Sequence, residues 1–187
     1  MLPHAALALQ MAIAGVFLVS AAAKVRSAAN EETWSILLGL LPWKGIPIRA
    51  ASRSHAAAEL ALGLALLAGV VGLTGPVVRG AALSAALLLF LAFTGLAAYS
   101  AQSQTAIPCS CFGRSGSPLG WPHVWRNLAL TGMALAGLVC TVAIGPGAHV
   151  RPGGAVIAAA AALVVTLVTA FYDDIVDLFG TDRLRRV

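Results

Sequence analysis

Two cysteines stand one residue apart in a loop-like stretch, Pro108-Cys109-Ser110-Cys111-Phe112-Gly113, with Arg114 next in the chain. A thiolate is the reactive form of cysteine, and a neighbouring cation favours it. In extended backbone, residues two apart sit near the upper limit of disulfide geometry. A Cys109–Cys111 bridge would therefore be strained and readily reduced, as suits a redox couple better than a structural staple. The same two thiolates could instead hold a soft metal such as copper, zinc or mercury. His55 and His123 are the histidines that could complete such a site, and the methionines are Met1, Met11 and Met133. A third alternative is a pair of ordinary loop cysteines. Cys140 is different: it lies 13 residues past Asn127 in an apolar run. That is about 20 Å along a helix, the place of a small buried hydrophobe.

The other chemical candidates are charges at the ends of apolar runs. Glu59 sits inside one such run, Lys24 ends the first, and Arg126-Asn127 opens a later one. A carboxylate within a membrane segment is costly and needs a partner. Lys24 and Arg126 are the candidate partners, either as an ion pair that locks helices together or as a pocket wall that shapes a site and moves protons.

These residues must be positioned by membrane helices. The chain has 187 residues, 59% hydrophobic and 10% charged, with mean hydropathy +0.89. A soluble domain of this length needs about a quarter of its residues charged. Five apolar runs approach or exceed the length that crosses a bilayer, at about 5–23, 56–73, 77–99, 124–144 and 155–171. None alternates with period two, so helices are expected and barrel strands are not. The expectation is an all-α polytopic bundle forming one domain over 1–187. The first run ends in Ala21-Ala22-Ala23, as a cleaved leader can, but no basic residue precedes it. It reads as a retained helix. Small residues such as Gly63, Gly69 and Gly137 argue for close helix packing.

The first connection, about 24–55, holds an apolar stretch too short to span, flanked by Trp34 and Trp43. It reads as an interfacial or re-entrant segment. With five spans, Lys24, Glu59, the cysteine pair, Arg126 and Asn127 all fall at one membrane face. Of the 12 Lys and Arg, that side carries all but Arg79 and Arg151, so the positive-inside rule sets it in the cytoplasm. A pI near 9.7 fits contact with anionic lipid and not with nucleic acid. No nucleotide-binding loop, Ser-His-Asp arrangement or zinc-type Cys/His spacing is present.

Several segments taken together are more specific. They are Phe17-Leu18-Val19-Ser20-Ala21-Ala22-Ala23-Lys24, Leu41-Pro42, Glu59-Leu60-Ala61-Leu62-Gly63, Cys109-Ser110-Cys111-Phe112-Gly113 and Trp125-Arg126-Asn127. In this order and spacing the chain resembles the methylamine-utilisation MauE family, within the wider MauE/DoxX redox-associated membrane proteins. The resemblance implies a multi-pass protein of the inner or plasma membrane. It implies thiol–disulfide exchange through Cys109 and Cys111 with a thioredoxin-like, MauD-like partner, in maturation of a disulfide-rich client such as the methylamine dehydrogenase small subunit. Phe112, Gly113, Arg114, Glu59, Lys24, Arg126 and Asn127 would support the pair. The architecture is also similar to vitamin K epoxide reductase and DsbB, which use quinone; the analogy to periplasmic disulfide relays places the cysteines outside, against the charge count. Here the pair is Cys-x-Cys instead of Cys-x-x-Cys, and the first connection has no second pair. A partner thiol protein is then the expected source of the second dithiol. The alternative is a non-enzymatic module that binds a soft metal or scaffolds a partner.

Overall fold

A computed structural model describes residues 1–25, 29–40, 45–103, 107–108, 118–144 and 150–179. Among these are seven helices: α1 (Leu2–Val25), α2 (Ala29–Leu40), α3 (Ile48–Val70), α4 (Pro76–Ser103), α5 (Trp121–Ala143), α6 (Pro152–Ala170) and α7 (Tyr172–Phe179). The described β-structure is a single isolated bridge between Pro108 and Pro118. The protein is an all-α polytopic membrane bundle.

Four helices, α1, α4, α5 and α6, are long and apolar enough to cross a membrane. Their most apolar windows have mean hydropathies of 2.0, 2.2, 1.4 and 2.2. Sequence pattern alone suggests a fifth span over 56–73. The helix there, α3, has 23 residues but begins eight residues earlier than the apolar run. Its first half carries Arg49, Arg53, His55 and Glu59, which dilute its apolar character. The short apolar stretch of the first connection is the helix α2, as its failure to span suggests, with Glu31 and Glu32 in its first turn. Acidic side chains there favour the positive end of the helix dipole.

The bundle is built around α1, which packs against α3, α5 and α6, while α4 packs against α5. Its core joins Ile13 and Phe17 of α1 to Leu66 of α3, Leu83 and Phe90 of α4, and Leu130 of α5. The Phe17 and Phe90 rings stack 4.9 Å apart and nearly parallel, a geometry that adds to the area they bury. Small residues set the helix spacing. A Cβ at Gly63 would come within 2.9 Å of Leu18, so α3 reaches α1 because residue 63 has no side chain. Gly15 of α1 likewise makes room for Thr166 of α6. The outer faces remain apolar: Leu88 of α4, Val139 of α5 and Val164 of α6 are exposed, as lipid-facing residues are.

Helices α4, α5 and α6 each carry a proline in their first positions, Pro76, Pro122 and Pro152. The absent proline N–H costs nothing there, because the first helical N–H groups have no partner in any case. At α5 the start is also closed by His123, whose Nδ1 accepts from the Gly120 N–H at 3.2 Å.

Candidate functional site

At the C-terminal end of α1, three polar side chains meet inside the bundle. Lys24 and Glu59 are each within a few per cent of complete burial, and Lys24 Nζ lies 2.5 Å from Glu59 Oε1. Ser20, one helical turn before Lys24, donates to Glu59 Oε2 at 3.0 Å. Lys24 Nζ also donates to Ser20 Oγ at 2.9 Å. Each charge is thus paired and hydrogen-bonded, as buried charges must be. The i,i+4 spacing of Ser20 and Lys24 puts both on the α1 face that meets α3. His55, one turn before Glu59, brings its Nε2 to 3.5 Å from Glu59 Oε1. The His55 ring packs edge-on against Trp34 of α2 and Phe93 of α4. Lys24 Nζ lies 5.6 Å from the Phe93 ring centre, within cation–π range.

Beside this centre is a narrow cavity of about 30 Å³, enough for one water. Lys24, Asn30, Trp34, His55, Phe93 and Asn127 are among its walls, together with Pro108 and Leu119. Pro108 immediately precedes Cys109. Pro108 and Pro118 form an antiparallel bridge, and the Leu119 N–H donates to the Ile107 carbonyl at 2.8 Å. The two flanks of 109–117 therefore meet at one point, next to the cavity. That mouth is held from two sides. Thr33 Oγ1 of α2 donates to the Pro108 carbonyl at 2.9 Å, and Ser100 Oγ of α4 donates to the Leu119 carbonyl at 2.9 Å. Helix α2 is in turn clamped to α3, where buried Asn30 donates through Nδ2 to Ser52 Oγ at 2.9 Å.

Arg126 finds a carboxylate on the short last helix. Its Nη1 donates to Asp173 Oδ2 at 2.9 Å, and His123 Nε2 lies 3.5 Å from Asp173 Oδ1. The pair ties α5 to α7 and keeps a buried guanidinium charge neutralised.

Of the residues expected to carry function, Lys24, Glu59 and Asn127 come together with the mouth of 109–117, and Arg126 lies one residue before Asn127 on α5. Cys109, Cys111, Phe112, Gly113 and Arg114 lie outside the described residues. Cys140 is a free, half-buried thiol near the far end of α5. Among the described residues no cluster of three His, Cys, Asp or Glu could hold a metal. Sequence reasoning passed over Ser20, Asn30, Thr33 and Asp173. Ser20 had a usable signal, a hydroxyl one turn from a lysine in an apolar helix. Asn30 and Thr33 had none, since their partners are 22 and 75 residues away.

Comparison with curated proteins and with solved structures returns no match to either. The family described as methylamine utilisation protein MauE matches residues 2–140. That stretch runs from the start of α1 almost to the end of α5, and so contains the buried ionic centre, the clamped mouth and the Cys-x-Cys segment. The chain belongs to the MauE family, and it is a multi-pass membrane protein associated with methylamine utilisation.

Proposed function

We propose that the protein is a membrane thiol–disulfide redox component in which Cys109 and Cys111 exchange a disulfide with a thioredoxin-like protein. One observation carries the reading. The segment that holds both cysteines begins and ends at a clamped mouth beside a cavity walled by Lys24, His55 and Asn127. A fixed mouth restricts where the thiols can travel, and the Arg114 cation near Cys111 in the sequence favours thiolate. In this reading α3 is the fifth crossing helix and puts Glu59 behind Lys24. The whole chain then acts as one membrane domain.

The exchange balances as follows. Cys109 thiolate attacks one sulfur of the partner's disulfide, forming a mixed disulfide and releasing the partner's other sulfur as thiolate. Cys111, after losing its proton, attacks the Cys109 sulfur and releases the partner's second thiolate. Two electrons pass from this chain to the partner, and the reverse sequence carries them back. Arg114 stabilises thiolate charge, the Lys24–Glu59 pair shapes the pocket wall, and the partner's dithiol closes the cycle without a second pair here. A membrane quinone would be the electron acceptor only if the partner were dispensable.

The test is covalent trapping. Cys111→Ser should accumulate a reductant-sensitive adduct with a thioredoxin-like protein in cells, and Cys109→Ser should not. If the double Cys109/Cys111→Ser variant still supports maturation of a disulfide-rich client at the wild-type rate, the protein is a scaffold instead.

A further inference from the structure

A second, larger cavity of about 530 Å³ lies between α1, α2 and α3. Its volume falls in the range of pockets that hold whole small ligands. Lys24 and Asn30 wall both this groove and the narrow cavity beside Pro108, so the two spaces are back to back. The groove has a polar and an apolar end. Along α3, Ser52 and Arg53 give way to Ala56, Ala57 and Leu60, a distance of about 10 Å from Arg53 to Leu60. Antiparallel to it, α1 runs from Lys24 at the polar end to Ala21 and Leu18 at the apolar end. The two walls therefore agree in polarity. The apolar end reaches the outer surface, where Leu60 and Leu64 are about half exposed.

Charge selects the occupant. Lys24 is neutralised by Glu59, and Glu31 on the rim lies 3.6 Å from Arg49. Arg53 is exposed and has no ion-pair partner among the described residues. Among the described residues Arg53 is thus the unpaired cation at the polar lip of an apolar slot whose floor is alanine. We propose that this groove binds one anionic phospholipid, its phosphate at Arg53 and one acyl chain against Ala57 and Leu60. The inference is independent of the thiol chemistry. It needs only the membrane setting, where anionic headgroups lie at the level of juxtamembrane cations.

The experiment uses the full chain, purified in neutral detergent and stripped of lipid. Phosphatidylglycerol and phosphatidylcholine with identical acyl chains are titrated separately, and binding is read by native mass spectrometry and by the rise in melting temperature. One lipid should be retained per chain. A single cation should favour phosphatidylglycerol by about fivefold. Arg53→Gln should erase that preference without loss of folding, since the side chain is exposed. Ala57→Phe, also at an exposed position, should fill the slot and abolish retention of both lipids. Inorganic phosphate alone should not stabilise the protein. Equal retention of the two lipids overturns the headgroup assignment. A preference that survives both substitutions overturns the groove. Stabilisation by inorganic phosphate equal to that by phosphatidylglycerol overturns the lipid in favour of a free-phosphate site.

Discussion

Thr33 of α2 is hydrogen-bonded to the carbonyl of Pro108, 75 positions away and one residue before Cys109. A helix too short to cross the membrane thus holds one side of the entrance to the cysteine segment. Thr33→Val keeps the shape and removes the donor. It should cost about 1 kcal/mol of stability. If α2 steers the thiols, the rate at which reduced Cys109 and Cys111 react with a small alkylating agent should change severalfold. An unchanged rate and pH profile would confine Thr33 to a structural part.

The Lys24–Glu59 pair makes a sharper prediction. Glu59→Ala strands a buried ammonium and should destabilise the protein by about 3–5 kcal/mol. Glu59→Gln keeps a hydrogen-bonding group beside Ser20 and should be milder. The double change Lys24→Met with Glu59→Leu should recover much of the loss, because an apolar pair needs no compensation. Thermal melts of the four purified proteins check this. A Glu59→Ala melt equal to wild type would remove the pair from any account of stability.

Arg126 and Asp173 predict that the short helix α7 is bonded to the bundle. Asp173→Ala deletes a charge-assisted hydrogen bond to a buried guanidinium and should cost about 1.5–3 kcal/mol. The expected readout is a lower melting temperature, with faster proteolysis of residues 172–179. Protection of that helix equal to wild type would contradict the docking.

Topology can be read with the same geometry. Lys24 and Arg126 are buried in ion pairs, so they are not free loop charges. With α3 as the fifth crossing helix, removing them still leaves eight Lys and Arg on the side of the cysteine pair against two on the other. The positive-inside rule then predicts that Cys109 and Cys111 face the cytoplasm. Intact cells treated with a membrane-impermeant thiol reagent should leave them unlabelled until permeabilised. Rapid labelling from outside would reverse the orientation.

Cys140→Ala should leave thiol exchange at wild-type rate, because this half-buried residue lies toward the opposite end of α5 from Asn127. Counting reactive thiols in the reduced and oxidised protein should show a change of two, with Cys140 constant.

Much of the bundle was legible because long apolar runs leave few alternatives to crossing helices. The start of α3 was not. Its first turns, Ile48 to His55, are polar enough to pass for a loop, and they become helix where Asn30 clamps Ser52. Helix α7 was also hidden, since eight residues give too little periodicity and its acidic residues look like a solvated tail. The ionic centre was half visible. An isolated Glu59 in an apolar run demands a partner, and Lys24 was one of two candidates on the same face. The clamps at Thr33 and Ser100 depend on tertiary register, which single polar residues do not announce.

The central place of α1 also sets a problem of timing. It is synthesised before the helices it packs against, yet Gln10, Ser20 and Lys24 are buried on its surface and take partners from later helices. Gln10 donates to the Leu66 carbonyl of α3, and Lys24 waits for Glu59, 35 residues later. At ordinary ribosome speeds that wait is about 2 to 7 s. During it the nascent helix must carry an ammonium and an amide that lipid cannot satisfy. The buried polar face of α1 is therefore satisfied only once α3 has been made and packed against it.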